Sequence, residues 1–360
     1  LLLPVPPSHL PGPAFLLPSG AGVLANKNVG TGKVVGLGSL NLVNGTGLAS
    51  NYTLVGGSIL ADVTPASLTV TTSDVVKTYD GNLSVAGATV SPTPVVKAGS
   101  NTQLFGNDTL NGGSYAFTNS NAGSGNRTVT VSGVVANDGN SGANYIISYA
   151  SNTTSTINQA ALTISALAQT KVYDGTTLVP SLALGTGYGV SGLVGGESLS
   201  SVTLAYANAN VSRNGAGAVL SDKVITANGA VAAAGTDLAN YAVSYVGNTA
   251  STITPYAVSL TGGRVYDATT VVNASVLTIG TLVNGEGLTL SGTGTLTGTK
   301  DVGDNKTFDI NTLALGNGTG LASNYTLVGG SRTADITRAT ISTVSGITAP
   351  DTTYDANDTA

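Results

Sequence analysis

Cysteine, methionine and tryptophan are absent from these 360 residues, and histidine occurs once, at His9. Without cysteine there is no disulfide staple and no thiolate metal ligand, so packing and hydrogen bonds must hold the fold. Loss of the readily oxidised side chains suits an exposed, long-lived extracellular protein, although compositional drift gives the same result. Charge is also scarce. Only 9% of residues are charged, and the 13 Lys and Arg are scattered singly in a chain of net charge −5. No basic stripe exists to neutralise phosphates or to anchor the chain on an anionic membrane, so no nucleic-acid partner is expected. No apolar run approaches the roughly 18 residues of a membrane-spanning helix, so no membrane insertion is expected either.

The chemistry of catalysis is equally thin. No Ser/His/Asp arrangement, Gly-rich phosphate loop or recurring carboxylate pair stands at a workable spacing, so an enzyme is not expected and no cofactor is implied. Asp301, Asp304 and Asp309, and Asp351, Asp355 and Asp358, could be read as calcium ligands. Both groups lack the spacing and glycine of a calcium loop, and no metal site is assigned.

What the chain has is repetition. Asn44–Val63 returns almost verbatim 273 positions later as Asn317–Ile336. Tyr-Asp recurs at Tyr79-Asp80-Gly81, Tyr173-Asp174-Gly175, Tyr266-Asp267-Ala268 and Tyr354-Asp355-Ala356, at spacings of 94, 93 and 88. Asn-Tyr recurs at Asn51-Tyr52, Asn144-Tyr145, Asn240-Tyr241 and Asn324-Tyr325. A fixed period of this kind marks an array of similar units, in which function belongs to the array. The pattern divides the chain into a partial repeat at 21–65, three whole repeats at 66–159, 160–255 and 256–338, and the opening of another at 339–360. Both ends cut the pattern, and the expectation is a segment of a longer protein. Residues 1–20 hold six prolines, a density that excludes helix interiors and central strands, and read as an extended linker.

Within a repeat the dominant signal is alternation. Ser67–Thr71, Thr128–Ser132, Leu162–Ser165 and Tyr241–Val246 place branched or aromatic residues on one face and small polar ones on the other, which predicts strands with one buried face. Almost no helix is expected. Gly106-Asn107-Asp108, Gly195-Gly196-Glu197 and Asn284-Gly285-Glu286 predict tight turns whose acids are solvated. In Tyr-Asp-Gly the tyrosine buries its ring and the aspartate folds back on amides one or two residues ahead. Few residues separate consecutive repeats, around Pro65, Gln159, Pro255 and Arg338, so the joints should be nearly rigid and the array a stiff rod. The predicted fold class is all-β: a tandem array of elongated antiparallel sandwiches of Ig-like character, with β-grasp-like modules as the alternative.

The order Ala-x-Leu-Thr, Lys-x-Tyr-Asp-Gly-Thr-Thr, Gly-Gly-Glu and Asn-Tyr before a strand ending in Thr-Ile-Thr is clearest from Leu162 through Tyr241. It resembles the tandem Tyr-Asp-Gly repeats of large bacterial exoproteins, including filamentous-haemagglutinin-like adhesins exported by two-partner secretion. The resemblance covers roughly residues 26 to 360. Arg264 and Thr353 depart from it where lysine precedes the tyrosine, as Lys77 and Lys171 do in the first two repeats. The missing lysines argue against a general lysine isopeptide crosslink.

The resemblance implies a β-rich stalk or fibre segment on the outer surface of a Gram-negative bacterium, or released from it. Its expected partners are neighbouring repeats, other copies of itself in filaments, and host or matrix surfaces met through regions outside this segment. The alternative is that the repeats themselves grip host glycan or matrix, with tyrosines as stacking platforms. Asn-x-Ser/Thr sequons begin at Asn44, Asn51, Asn82, Asn107, Asn126, Asn152, Asn210, Asn273, Asn305, Asn317, Asn324 and Asn357. Chance in an Asn-, Ser- and Thr-rich chain produces such a set; so does a surface coat of N-linked hexose.

Overall fold

The computed structural model describes residues 16–56, 59–100, 103–346, 353, 354 and 356. Most of the proline-rich start with His9, and Asp351, Asp355, Asn357 and Asp358, lie outside the described residues. The fold is all-β: among the described residues the only helical pieces are three-residue 3-10 turns. Two compact units form, one from Leu1–Ala161 with Asp237–Ala242 and the other from Leu162–Thr236 with Val243–Ala360. Asp237–Ala242 therefore packs with the repeat before the one that encodes it.

In the first unit, residues 66–158 make two facing sheets. One runs in the order Tyr145–Tyr149, Ala66–Thr72, Pro94–Val96. The other runs Val76–Thr78, Asn152–Asn158, Gly123–Asn137, Thr109–Phe117. The alternation read from the sequence does what it should: Leu68 and Val70 are fully buried, while Ser67 between strand start and core is exposed. Leu68 and Val70 from the first sheet meet Val131, Val134 and Ala136 from the second, with Tyr145 closing the cluster. Each fully buried aliphatic side chain contributes about 1.5–3 kcal/mol. Before this repeat, Val23–Leu24, Gly30–Gly36 and Leu60–Val63 form a three-stranded sheet. Leu17–Ser19 pairs with Asn41–Val43, so the last proline of the N-terminal segment, Pro18, lies in a two-stranded ribbon, an edge position that tolerates it.

The second unit repeats the plan with Thr170–Val172, Asn248–Thr254, Lys223–Ala232 and Leu199–Tyr206 in one sheet. Ala160–Ala166 is flanked by Tyr188–Ser191 and Tyr241–Val246 in the other. Its third repeat spreads into a six-stranded sheet ordered Val271–Asn273, Thr293–Leu296, Gly303–Asp309, Arg332–Thr337, Leu260–Val265, Leu277–Ile279. The sheets are mixed where the sequence pattern suggested purely antiparallel ones. Ala66–Thr72 pairs in parallel with Tyr145–Tyr149, and Leu260–Val265 with Arg332–Thr337. The first strand of a repeat thus lies beside one of its last, a pairing about 80 residues apart that alternation cannot reveal.

Candidate functional site

The residues that recur in the sequence gather where one repeat meets the next. A β-bulge prepares the place. In the strands Gly30–Gly36, Gly123–Asn137 and Gly303–Asp309 the register shifts between Gly30 and Lys33, Gly123 and Arg127, and Gly303 and Lys306. Each extra residue turns the preceding loop outward. A cation ties that loop down: Lys33 Nζ bonds the Asn26 and Asn28 carbonyls, Arg127 the Ala122 carbonyl, and Lys306 the Asp301 carbonyl.

Onto the first two of these loops, and onto the Asn210-Val211 loop of the second repeat, docks the asparagine of an Asn-Tyr pair. Val29 N donates to Asn144 Oδ1 at 2.9 Å while Asn144 Nδ2 donates to Asn28 Oδ1 at 3.2 Å. Ala122 N and Asn121 Oδ1 take Asn240 in the same way at 2.8 and 3.3 Å, and Val211 N and Asn210 Oδ1 take Asn324 at 2.8 and 2.9 Å. One amide serves as both acceptor and donor, a two-point clasp. Asn240 and Asn324 are 2% and 1% exposed, so their bonds are made away from water. The clasping asparagines are presented by turns capped upstream. Ala239 N donates to Asp237 Oδ1, and Ala322 N to Asn317 Oδ1. Asp138 accepts from the amides of Asn140, Gly142 and Asn144.

The tyrosines complete the joint. Tyr79 of the first repeat meets Tyr241 edge-on at 5.5 Å, and Tyr173 of the second meets Tyr325 at 5.4 Å. Two of the turn acids, Asp108 and Glu286, bridge repeats, correcting for them the expectation of a solvated turn residue. Tyr325 Oη accepts from Val283 N and donates to Glu286 Oε2 at 2.6 Å. Glu286 Oε1 takes the hydroxyl of Tyr173, from the preceding repeat, at 2.7 Å. Tyr145 Oη likewise accepts from Phe105 N and donates to Asp108 Oδ2, and Asp108 Oδ1 pairs with Lys27 at 3.2 Å. Burial, then the bond to Glu286, pushes the phenol of Tyr173 up, and the same causes push Tyr325 well above its ordinary value. Burial and Asp108 raise Tyr145.

The Tyr-Asp-Gly corner itself is an ion cage. Lys77, 1% exposed, donates to Asp80 Oδ1, Asn82 O and Ser84 O at 2.6, 2.7 and 2.9 Å, which uses all three of its protons. It lies 5.4 Å from the Phe117 ring centroid; Lys171 repeats the arrangement with Asp174, Thr176 and Tyr206. Arg264 bonds Asp267 in the third repeat but leaves its Nε buried without a partner. Each aspartate folds back as the sequence suggested, accepting from the amide two residues on: Asn82, Thr176 and Thr269. Burial opposes the charge on Asp80 and Asp174, and the lysine and amide bonds outweigh it, so both carboxyls sit below their usual value. The amide of Thr269 lowers Asp267. Gly81 and Gly175 occupy left-handed φ of 76° and 74°, and Ala268 is held at 63°. A Cβ on Gly175 would stand 2.3 Å from Asn284 Nδ2, so glycine there also admits the neighbouring repeat.

The remaining expected site residues divide. Asn51 is exposed and Tyr52 half-buried; Tyr266 is half-buried and Tyr354 is 93% exposed. Of the sequons, Asn324 is buried in its clasp, which removes it from the glycosylation candidates. Asn152 is engaged with Thr72 O and Asp74, and Asn210 with Asn324. Asn44, Asn82, Asn107, Asn126, Asn273, Asn305 and Asn317 are exposed. The loops Asn28-Val29, Asn121-Ala122 and Asn210-Val211 were missed by motif reading. Their signal is present, with Asp301-Val302 as a fourth member at spacings of 93, 89 and 91.

An all-β chain whose repeated residues lock successive repeats together is a tandem-repeat protein. The YDG domain pattern matches residues 64–154, 158–251 and 248–334, and the chain belongs to the YDG domain family in three tandem copies. No curated protein sequence and no solved structure matches it.

Replacing Ala268 by glycine relieves the left-handed alanine and raises stability in denaturant by roughly 0.5–1 kcal/mol. Asp80→Ala leaves Lys77 buried short of a partner and costs about 1.5–3 kcal/mol in the same assay. Lowered carboxyls stabilise the fold above their unfolded pKa and cease to do so as pH falls through the folded one, so thermal stability drops below about pH 4. The raised phenols act oppositely: their contribution is whole below about pH 10 and is lost as pH climbs beyond it, visible as coincident tyrosinate absorbance and loss of β circular dichroism.

Proposed function

We propose that this array is a stalk or fibre segment of a large secreted bacterial surface adhesin, giving reach and stiffness to a binding end carried elsewhere. The observation that carries the reading is the use of the recurring residues: asparagine, tyrosine and acid meet in the joint between the second and third Tyr-Asp-Gly repeats, where they bond across it. Side chains committed to joints serve load and spacing. The resemblance of the repeats to those of filamentous-haemagglutinin-like exoproteins extends the proposal to export by two-partner secretion and to the outer surface of a Gram-negative bacterium. Exposed sequon asparagines carrying hexose belong to the same proposal.

Direct glycan gripping by the repeats has less support. Seven tyrosines, among them Tyr79, Tyr145, Tyr173, Tyr241 and Tyr325, are under 9% exposed, and the hydroxyls of half-exposed Tyr149 and Tyr245 accept from Val134 N and Ala230 N. Rings held this way make poor stacking platforms. Immunogold microscopy of producing cells with antibody to the array should label the outer surface or released fibres. Label confined to the cytoplasm would overturn the proposal.

A further inference from the structure

In each Tyr-Asp-Gly repeat the segment by which the chain enters lies beside the segment by which it leaves, and both run the same way. In the first repeat Ala66–Thr72 pairs in parallel with Tyr145–Tyr149 in one sheet, and Val76–Thr78 with Asn152–Asn158 in the other. The two segments stay together from sheet to sheet. Ala66 N donates to Asn144 O at 2.9 Å, Ala150 N to Val70 O at 2.9 Å, Thr156 N to Val75 O at 2.8 Å and Tyr79 N to Asn158 O at 2.8 Å. Where the row changes sheet, side chains close the gap. Val75 N donates to Ser155 Oγ, and the exposed Asp74 carboxylate accepts from Asn152 Nδ2 and Thr154 Oγ1 at 2.9 and 2.5 Å.

The second unit builds such a row twice. Thr170–Val172 runs parallel to Asn248–Thr254, with Thr252 N donating to Gln169 O at 2.9 Å and Tyr173 N to Thr254 O at 2.8 Å. Gln169 N on Ser251 Oγ repeats the bond of Val75. In the third repeat Tyr256–Ala257 runs parallel to Tyr325–Thr326, and Leu260–Val265 to Arg332–Thr337, closed by Tyr266 N on Thr337 O at 2.9 Å. Each row thus ends on the backbone N–H of the Tyr-Asp-Gly tyrosine, and the Lys77, Lys171 or Arg264 cage fastens the turn that follows.

A pull along the chain draws the first strand of such a pair toward its N-terminal end and the last strand toward its C-terminal end. Between parallel neighbours those ends lie at opposite ends of the ladder, so the load is shear and the whole row resists at once; a pair pulled apart from one end yields its bonds one at a time. Sliding also drags Leu68, Val70 and Ile157, none more than 1% exposed, through a close-packed core. We propose that each Tyr-Asp-Gly repeat is a mechanical clamp that holds against tension along the chain, the parallel pair of entering and leaving strands being its load-bearing element. The clamp rests on strand pairing and is independent of where the array is displayed, so the stalk reading can fail without it, and it without the stalk reading.

Single-molecule pulling tests it, and the absence of cysteine lets two thiol handles be placed at chosen positions. Thr64→Cys with Asn158→Cys loads the first repeat end to end. Thr64→Cys with Ala143→Cys instead pulls its two parallel strands apart from the same end of the ladder. All three positions are exposed, and both pairs leave every bond of the row in place. Forced unfolding reports the unfolding barrier, and the end-to-end geometry should rupture at a force several-fold above the other. Asp74→Ala should lower the end-to-end force and leave the other unchanged, because peeling begins at Ala66, the far end of the row from Asp74. Equal forces in the two geometries, or an end-to-end force untouched by Asp74→Ala, would overturn the proposal. Denaturant melts of each variant separate a weakened clamp from a repeat that has not folded, and the comparison of geometries decides the matter without Asp74→Ala.

Discussion

Everything at the joints turns on an asparagine side chain that must accept one backbone N–H and donate to one side-chain oxygen at once. The loop it meets presents a backbone amide to it, and a buried N–H without a partner costs about 1–3 kcal/mol. Aspartate in place of Asn324 could accept from Val211 N but could not donate to Asn210. Glutamine is a methylene too long for a corner set by a three-residue turn. The clasp is therefore chemically narrow, and its recurrence at Asn144, Asn240 and Asn324 reflects that narrowness.

Around it, each further device solves a problem the clasp creates. Bringing two tyrosine rings together at the joint buries their hydroxyls, and a single carboxylate, Glu286, accepts from both Tyr173 and Tyr325. The acid would be costly to bury alone and is tolerated because its two oxygens are bonded. At the first joint, between the partial repeat and the first whole one, Asp108 faces one tyrosine and one lysine instead, which keeps the oxygen count satisfied by different chemistry. The lysine-aspartate cage sits one step back from the contact and fixes the corner from which the tyrosine is presented, with a cation over an aromatic ring as its floor.

Much of the fold was legible because its causes are local. Alternation at Ser67–Thr71 and Leu162–Ser165 marks strands, Gly-Gly and Asn-Gly mark turns, and the Asp fold-back in Tyr-Asp-Gly is decided within three residues. The joints were harder. Asn324 and Val211 lie 113 positions apart, and Tyr173 and Glu286 equally so. Residue type at Glu286 suits a solvated turn as well as a bridge; only the approach of a tyrosine from another repeat decides between them. The parallel pairing of first and late strands hid for the same reason, since period-2 patterns carry no strand direction. Asn324 reads as a sequon in sequence and is a buried structural residue in the fold.

The most direct test of the joint is a double-mutant cycle in denaturant on Asn210→Ala, Asn324→Ala and the pair. If the clasp couples the two repeats, the single losses fail to add, with an interaction energy of about 0.5–3 kcal/mol. Additivity within roughly 0.3–0.5 kcal/mol would mean that the two asparagines do not act together, and the account of how these repeats are joined would fail with it.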